Sequence, residues 1–69
     1  MTYWQLRAHD RNRLRGYWND RDKMCDDLLT GFSDTANMTL FRYEGGRYVT
    51  EATGEAVRAM ALRWQGRDG

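Results

Sequence analysis

The sequence predicts an α+β domain of order ββαββα, with a four-stranded antiparallel sheet and two helices on one of its faces. Three observations carry that expectation. Residues 3–18 alternate apolar and polar side chains with a period of two on either side of a polar turn. Gly45-Gly46 separates two runs of strand-forming residues. Segments with helical spacing, 20–30 and 53–65, follow the hairpins at 3–18 and 38–51, leaving 66–69 as the tail of a single domain spanning 1–69.

In the first hairpin, Trp4, Leu6, Ala8, Leu14, Gly16 and Trp18 fall on one face. Tyr3, Gln5, Arg7, His9, Arg13, Arg15 and Tyr17 fall on the other, with Asp10-Arg11-Asn12 as the turn. A helix is the rival. No Val, Ile or Thr occurs between Tyr3 and Leu29, and Thr2-Tyr3-Trp4-Gln5 matches a capping box. A helix, however, would place His9, Asp10 and Arg13 in one stripe with Leu6 and Leu14, which interrupts the apolar face. Pairing Trp4 with Trp18 and Leu6 with Gly16 sets Arg7 opposite Arg15 and His9 opposite Arg13, a repulsive arrangement.

Asn19 is a suitable N-cap for the first helix, and Asp20 and Asp22 suit the positive end of its dipole. The helix is expected to stop at Gly31. Its inner stripe would be Arg21, Met24 or Cys25, Leu28 and Leu29, with Asp26 and Asp27 toward water and Phe32 tucked back to the core. Residues 33–37 read as a loop. The second hairpin follows, its Gly45-Gly46 turn able to reach positive φ twice and its Glu44 facing Arg47. One face carries Met38, Leu40, Arg42 and Val49. The other carries Thr39, Phe41, Tyr43, Tyr48 and Thr50 and no charge, so it is expected to face the core. Thr53 is placed to cap the last helix, whose stripe is Ala56, Val57, Met60, Ala61 and Trp64. A frayed tail, Gly66 to Gly69, ends the chain.

Sixty-nine residues bury only roughly 60% of their unfolded surface. One cysteine excludes an internal disulfide and fits a reducing compartment. One Cys and one His cannot supply four zinc ligands. Stability must then come from an aromatic-rich core (three Trp, four Tyr, two Phe) or from self-association as a homodimer. Neither a signal peptide nor an apolar run of ~20 residues is visible, so the expectation is a soluble, cytoplasmic protein. The net charge of +1 hides an uneven distribution: residues 1–23 sum to +3, 24–34 to −3 and 35–69 to +1.

No reaction chemistry stands out, and the expectation is a non-enzyme with no cofactor and no metal. His9 and Cys25 fall on different elements and lack an orienting third group. Asp20, Asp22, Asp26 and Asp27 lack the loop and glycine of a calcium motif and read as dipole partners and a solvated face. No phosphate-binding glycine loop is present, and a domain this small rarely keeps a pocket of ~300 Å³ beside its core. What stands out is the outward face of the first hairpin. Its arginines can grip carboxylate or phosphate with two hydrogen bonds, and Tyr and Arg concentrate at interface centres. Tyr3, Gln5, Arg7, His9, Arg13, Arg15 and Tyr17 are therefore the candidate partner-binding residues, with an anion between Arg7 and Arg15 relieving their repulsion.

Two functions follow. The first is a small non-enzymatic protein that docks on the acidic surface of a larger protein or ribonucleoprotein and inhibits or modulates it. Size and blank chemistry are the only grounds for placing it with phage or mobile-element inhibitors of the anti-CRISPR kind. The second is a β-sheet DNA-binding module. The run YWQLRAHDRNRLRGYWNDRDKMCDDLL resembles the strand-turn-strand-helix pattern of the N-terminal DNA-binding regions of tyrosine-type phage integrases. That resemblance implies nucleic acid as partner and covers about the first half of the chain. It departs from the family, whose domains usually carry a third strand and a more basic surface, and four nearby aspartates cut against it.

Overall fold

A computed structural model describes residues 1–67. Strands β1 (Thr2–Ala8) and β2 (Leu14–Trp18) are joined by a 3-10 turn at Asp10–Asn12, and helix α1 (Arg21–Thr30) follows. A second 3-10 turn (Thr35–Asn37) leads into β3 (Met38–Glu44), β4 (Arg47–Thr53) and helix α2 (Glu55–Arg67). The expected ββαββα order and four-stranded antiparallel sheet are both present, with strand order β2-β1-β3-β4. The two hairpins join along β1 and β3, which pair from Thr2↔Glu44 to Ala8↔Met38.

The core lies between one face of this sheet and the two helices. Trp4, Leu6, Trp18, Met38 and Leu40 from the strands meet Met24, Cys25 and Leu28 of α1 and Val57, Met60 and Ala61 of α2. Burying each of the larger aliphatic side chains is worth about 1.5–3 kcal/mol. The helices run antiparallel: Arg21 at the start of α1 places its guanidinium 5.2 Å above the Trp64 ring near the end of α2.

Several local expectations are corrected. The N-cap of α1 is Asp20, not Asn19; its carboxylate accepts from the Asp22 N–H at 3.0 Å. Asp27 does not simply face water, because Trp18 Nε1 donates to its Oδ2 at 2.8 Å. Thr53 does not cap α2. It is the last residue of β4, and the chain enters the helix through Gly54 at φ +64°, whose N–H donates to Met38 O at 2.9 Å. Gly66 and Arg67, expected in the tail, belong to α2, while 68 and 69 lie outside the described residues.

The largest correction concerns the second hairpin. Met38 and Leu40 are fully buried, and the uncharged Thr39, Phe41, Tyr43, Tyr48, Thr50 face is the one turned away from the helices. Arg42, whose charge argued against a core-facing strand, sits at the rim of the core side. Its Nη1 donates to Glu51 Oε1 at 3.5 Å, and its Nε lies 3.6 Å from Glu44 Oε1, within ion-pair range but beyond a hydrogen bond. Glu51 reaches that side by alternation from Val49, and a bulge then turns Ala52 the same way. Leu40 pairs with Ala52 and Phe41 with Thr50, so Glu51 is an extra residue. It also accepts from Trp4 Nε1 at 3.2 Å.

Gly16 is required by packing. A Cβ there would run into the six-membered ring of Trp18, which lies across it. Gly16→Ala is expected to lower stability by about 1–3 kcal/mol through displacement of that indole, read as a lower urea midpoint at unchanged m. Gly66→Ala, where added bulk meets nothing within 4 Å, is expected to leave the midpoint unchanged or raise it.

Candidate functional site

Neither helix covers the second face of the sheet. Alternation and register place Tyr3, Gln5 and Arg7 of β1 there, with Tyr17 of β2, Thr39, Phe41 and Tyr43 of β3, and Tyr48, Thr50 and Thr53 of β4. All four tyrosines of the chain share this face. Tyr3, on a central strand, is the hub. Its ring lies 4.9 Å from Tyr17 on one side and 4.8 Å from Tyr43 on the other, the latter pair stacked at 22°. Tyr48 meets Tyr43 edge-on at 5.0 Å, and the Tyr3 and Tyr48 hydroxyls share a hydrogen bond of 2.9 Å. Tyr17 and Tyr48, on the two edge strands, are 52% and 54% exposed.

The polar groups of the face are held by neutral partners. Arg7 Nη1 donates to Asn12 O at 2.9 Å and Nη2 to Gln5 Oε1 at 3.5 Å. The first contact depends on the turn, where Arg11 and Asn12 both adopt positive φ (60° and 52°). His9 Nε2 and Thr39 Oγ1 are 2.9 Å apart, and Thr39 Oγ1 lies 2.7 Å from Thr53 Oγ1. Among the described residues, no strand position on this face is an aspartate or glutamate, so Arg7 is the formal charge within it. An open depression of about 360 Å³ is lined by Gln5, Arg7, Asn12, Phe41 and Tyr48. This exceeds the pocket size expected of so short a chain, and it is a surface hollow, not an enclosed cavity.

Of the seven residues singled out in the sequence, Tyr3, Gln5, Arg7 and Tyr17 come together on this face. His9 lies just beyond β1 and reaches the same face through Thr39. Arg13 and Arg15 leave it. Gly16 pairs with Leu6 but Leu14 with Arg7, so Arg15 is an extra residue in β2 and the alternation reverses there. Leu14, expected inward, is instead 48% exposed opposite Arg7. Arg15 sits 5.9 Å above the Phe32 ring. Together Arg13 and Arg15 line a second depression, about 430 Å³, with His9, Asp10 and Asp34 among its walls. Arg7 and Arg15 are thus not cross-strand partners, and the repulsion argument built on them does not apply.

Sequence reasoning missed Phe41, Tyr43 and Tyr48 because an uncharged face was taken for a buried one. The available signal was the side-chain type: tyrosine suits a half-wet surface, whereas Met38 and Leu40 have no polar atom to solvate. His9 and Cys25 do not meet, since Cys25 is buried in the core on the other side of the sheet. Of the aspartates, Asp20 is used as a cap and Asp27 as the acceptor of Trp18. Among the described residues no group of three or more His, Cys, Asp and Glu is placed to hold a metal ion, and no helix is long and apolar enough to cross a membrane.

The hydrogen bond to Tyr48, then partial loss of water and the neighbouring phenols, pushes the Tyr3 hydroxyl up to about 12. A raised folded-state value stabilises the fold fully below the unfolded value of about 10 and is lost as pH climbs through the folded one. Chemical denaturation between pH 9 and pH 12 is therefore expected to show falling stability above about pH 10, with a shallower fall in Tyr3→Phe. An equal slope in the two proteins would show that this phenol does not couple to folding.

Comparison with family models, with characterised proteins and with solved structures finds no match to this chain.

Proposed function

We propose that this chain is a small non-enzymatic binding protein that docks on a larger protein assembly through the open face of its sheet and modulates it by covering that surface. The observation that carries this reading is the tyrosine cluster. Four phenols pack around Tyr3, and Phe41 and Arg7 continue the same sheet face, which neither helix covers. Tyr and Arg are the residues that concentrate binding energy at interfaces. Phenols also offer large contact area for few rotatable bonds, and here the rings are already ordered by one another.

The same geometry favours protein over nucleic acid. Arg15 turns to Phe32 and Arg13 lies outside the strands, which leaves one formal cation at a strand position of the face to meet phosphates. The Tyr3 ring is flanked on both sides by Tyr17 and Tyr43, so it offers no open ring to a base.

The test uses the two most exposed rings of the cluster. Once a partner is recovered under mild conditions and the complex is reconstituted from purified proteins, Tyr17→Ala and Tyr48→Ala are each expected to weaken binding at least tenfold, about 1.4 kcal/mol or more, with circular dichroism unchanged. Undiminished affinity in both variants would sink the proposal. A dimer mass by light scattering, or a duplex-DNA mobility shift that disappears with salt, would replace it with self-association or nucleic-acid binding.

A further inference from the structure

We infer that Arg7 is a preformed seat for one carboxylate, and that the partner supplies it as an aspartate or glutamate side chain entering the hollow between Gln5, Asn12, Phe41 and Tyr48. This rests on the docking reading above and names the chemistry that docks.

The inference starts from an imbalance. Arg7 is only partly exposed, yet it takes part in none of the ion pairs formed among the described residues, which join Arg11 to Asp10, Lys23 to Asp27, and Arg42 to Glu44 and Glu51. A guanidinium drawn partly out of water normally acquires a counter-ion. Here its contacts are a backbone carbonyl and a side-chain amide oxygen, both neutral. Those contacts fix the plane of the fork without cancelling its charge. They use two of the five N–H donors of an arginine, and the rest remain for an incoming group. The hollow beside it holds about 360 Å³, and two of its walls, Phe41 and Tyr48, are aromatic. A planar carboxylate matches the fork in two parallel hydrogen bonds. The complementary charge is absent from the face itself, as no strand position on it carries a carboxylate. A single guanidinium on an otherwise uncharged strand face suits one acidic side chain in a protein contact. A polyanion would call for a row of cations.

The experiment is an NMR titration of the intact protein with a capped triglutamate peptide, a capped triglutamine peptide and inorganic phosphate, following arginine Nε–Hε and side-chain amide signals. Triglutamate is expected to shift the Arg7 and Gln5 signals saturably, and triglutamine to leave them unmoved. Arg7→Gln is expected to abolish the response. Arg7→Lys keeps the charge but not the fork, and is expected to weaken binding at least threefold with dispersed, native-like spectra. Three results overturn the inference: equal shifts at Arg13, Arg15 and Arg47, full affinity in Arg7→Lys, or tighter binding of phosphate than of triglutamate. In the reconstituted complex, Arg7→Gln with wild-type affinity beside a weakened Tyr17→Ala sinks the seat and leaves the docking face standing. Wild-type affinity in both variants sinks the two together.

Discussion

The indole N–H groups of Trp4 and Trp18 set the terms for the rest of the molecule. The two residues are cross-strand partners and both are buried. Each ring brings one donor that must be satisfied away from water. The backbone of the strands is committed to the ladder, so the acceptors come from outside this hairpin. Asp27 of α1 takes one and Glu51 of β4 the other. The first bond pins α1 against β2. The second ties β1 to β4 at its bulge, where Glu51 also accepts from Arg42 on the core side of β3.

Once that side of the sheet is committed to tryptophans, aliphatics and two helices, the remaining side must be stable without cover. Its solution is aromatic. Cross-strand ring pairs contribute roughly 0.5–1.5 kcal/mol each beyond the area they bury, and here they run from β2 through β1 and β3 to β4. The phenols keep their hydroxyls in reach of water or of one another, so the face stays wettable while its carbon is packed. Arg7 lies on the same face beyond the rings, held by Asn12 O and Gln5 Oε1.

The pattern of elements was legible in the sequence because each signal was local. Alternation in residues 3–18, two glycines between strand-forming runs, and helical spacing in 20–30 and 53–65 depend on nearest neighbours alone, and they yield the four strands and two helices observed. The half of the candidate site formed by Tyr3, Gln5, Arg7 and Tyr17 was readable for the same reason. What was not readable depends on single-residue slips and distant partners. The extra residue at Arg15 leaves the alternation intact on either side, yet it removes Arg13 and Arg15 from the face. The orientation of the second hairpin was misjudged because Arg42 reads as an outward charge until Glu51 and Glu44 are seen beside it. Asp27 reads as a solvated helix residue until the Trp18 indole is seen donating to it.

The two irregularities in the ladder fall on β2 and β4, the outermost strands of the sheet. An outermost strand offers a row of unused amides and carbonyls to any other chain. A kink in that row, with an arginine at one margin and a glutamate at the other, spoils the straight template that fibril growth needs. Both edges of a sheet whose aromatic face is uncovered thus carry an irregularity of the kind that hinders edge-to-edge pairing.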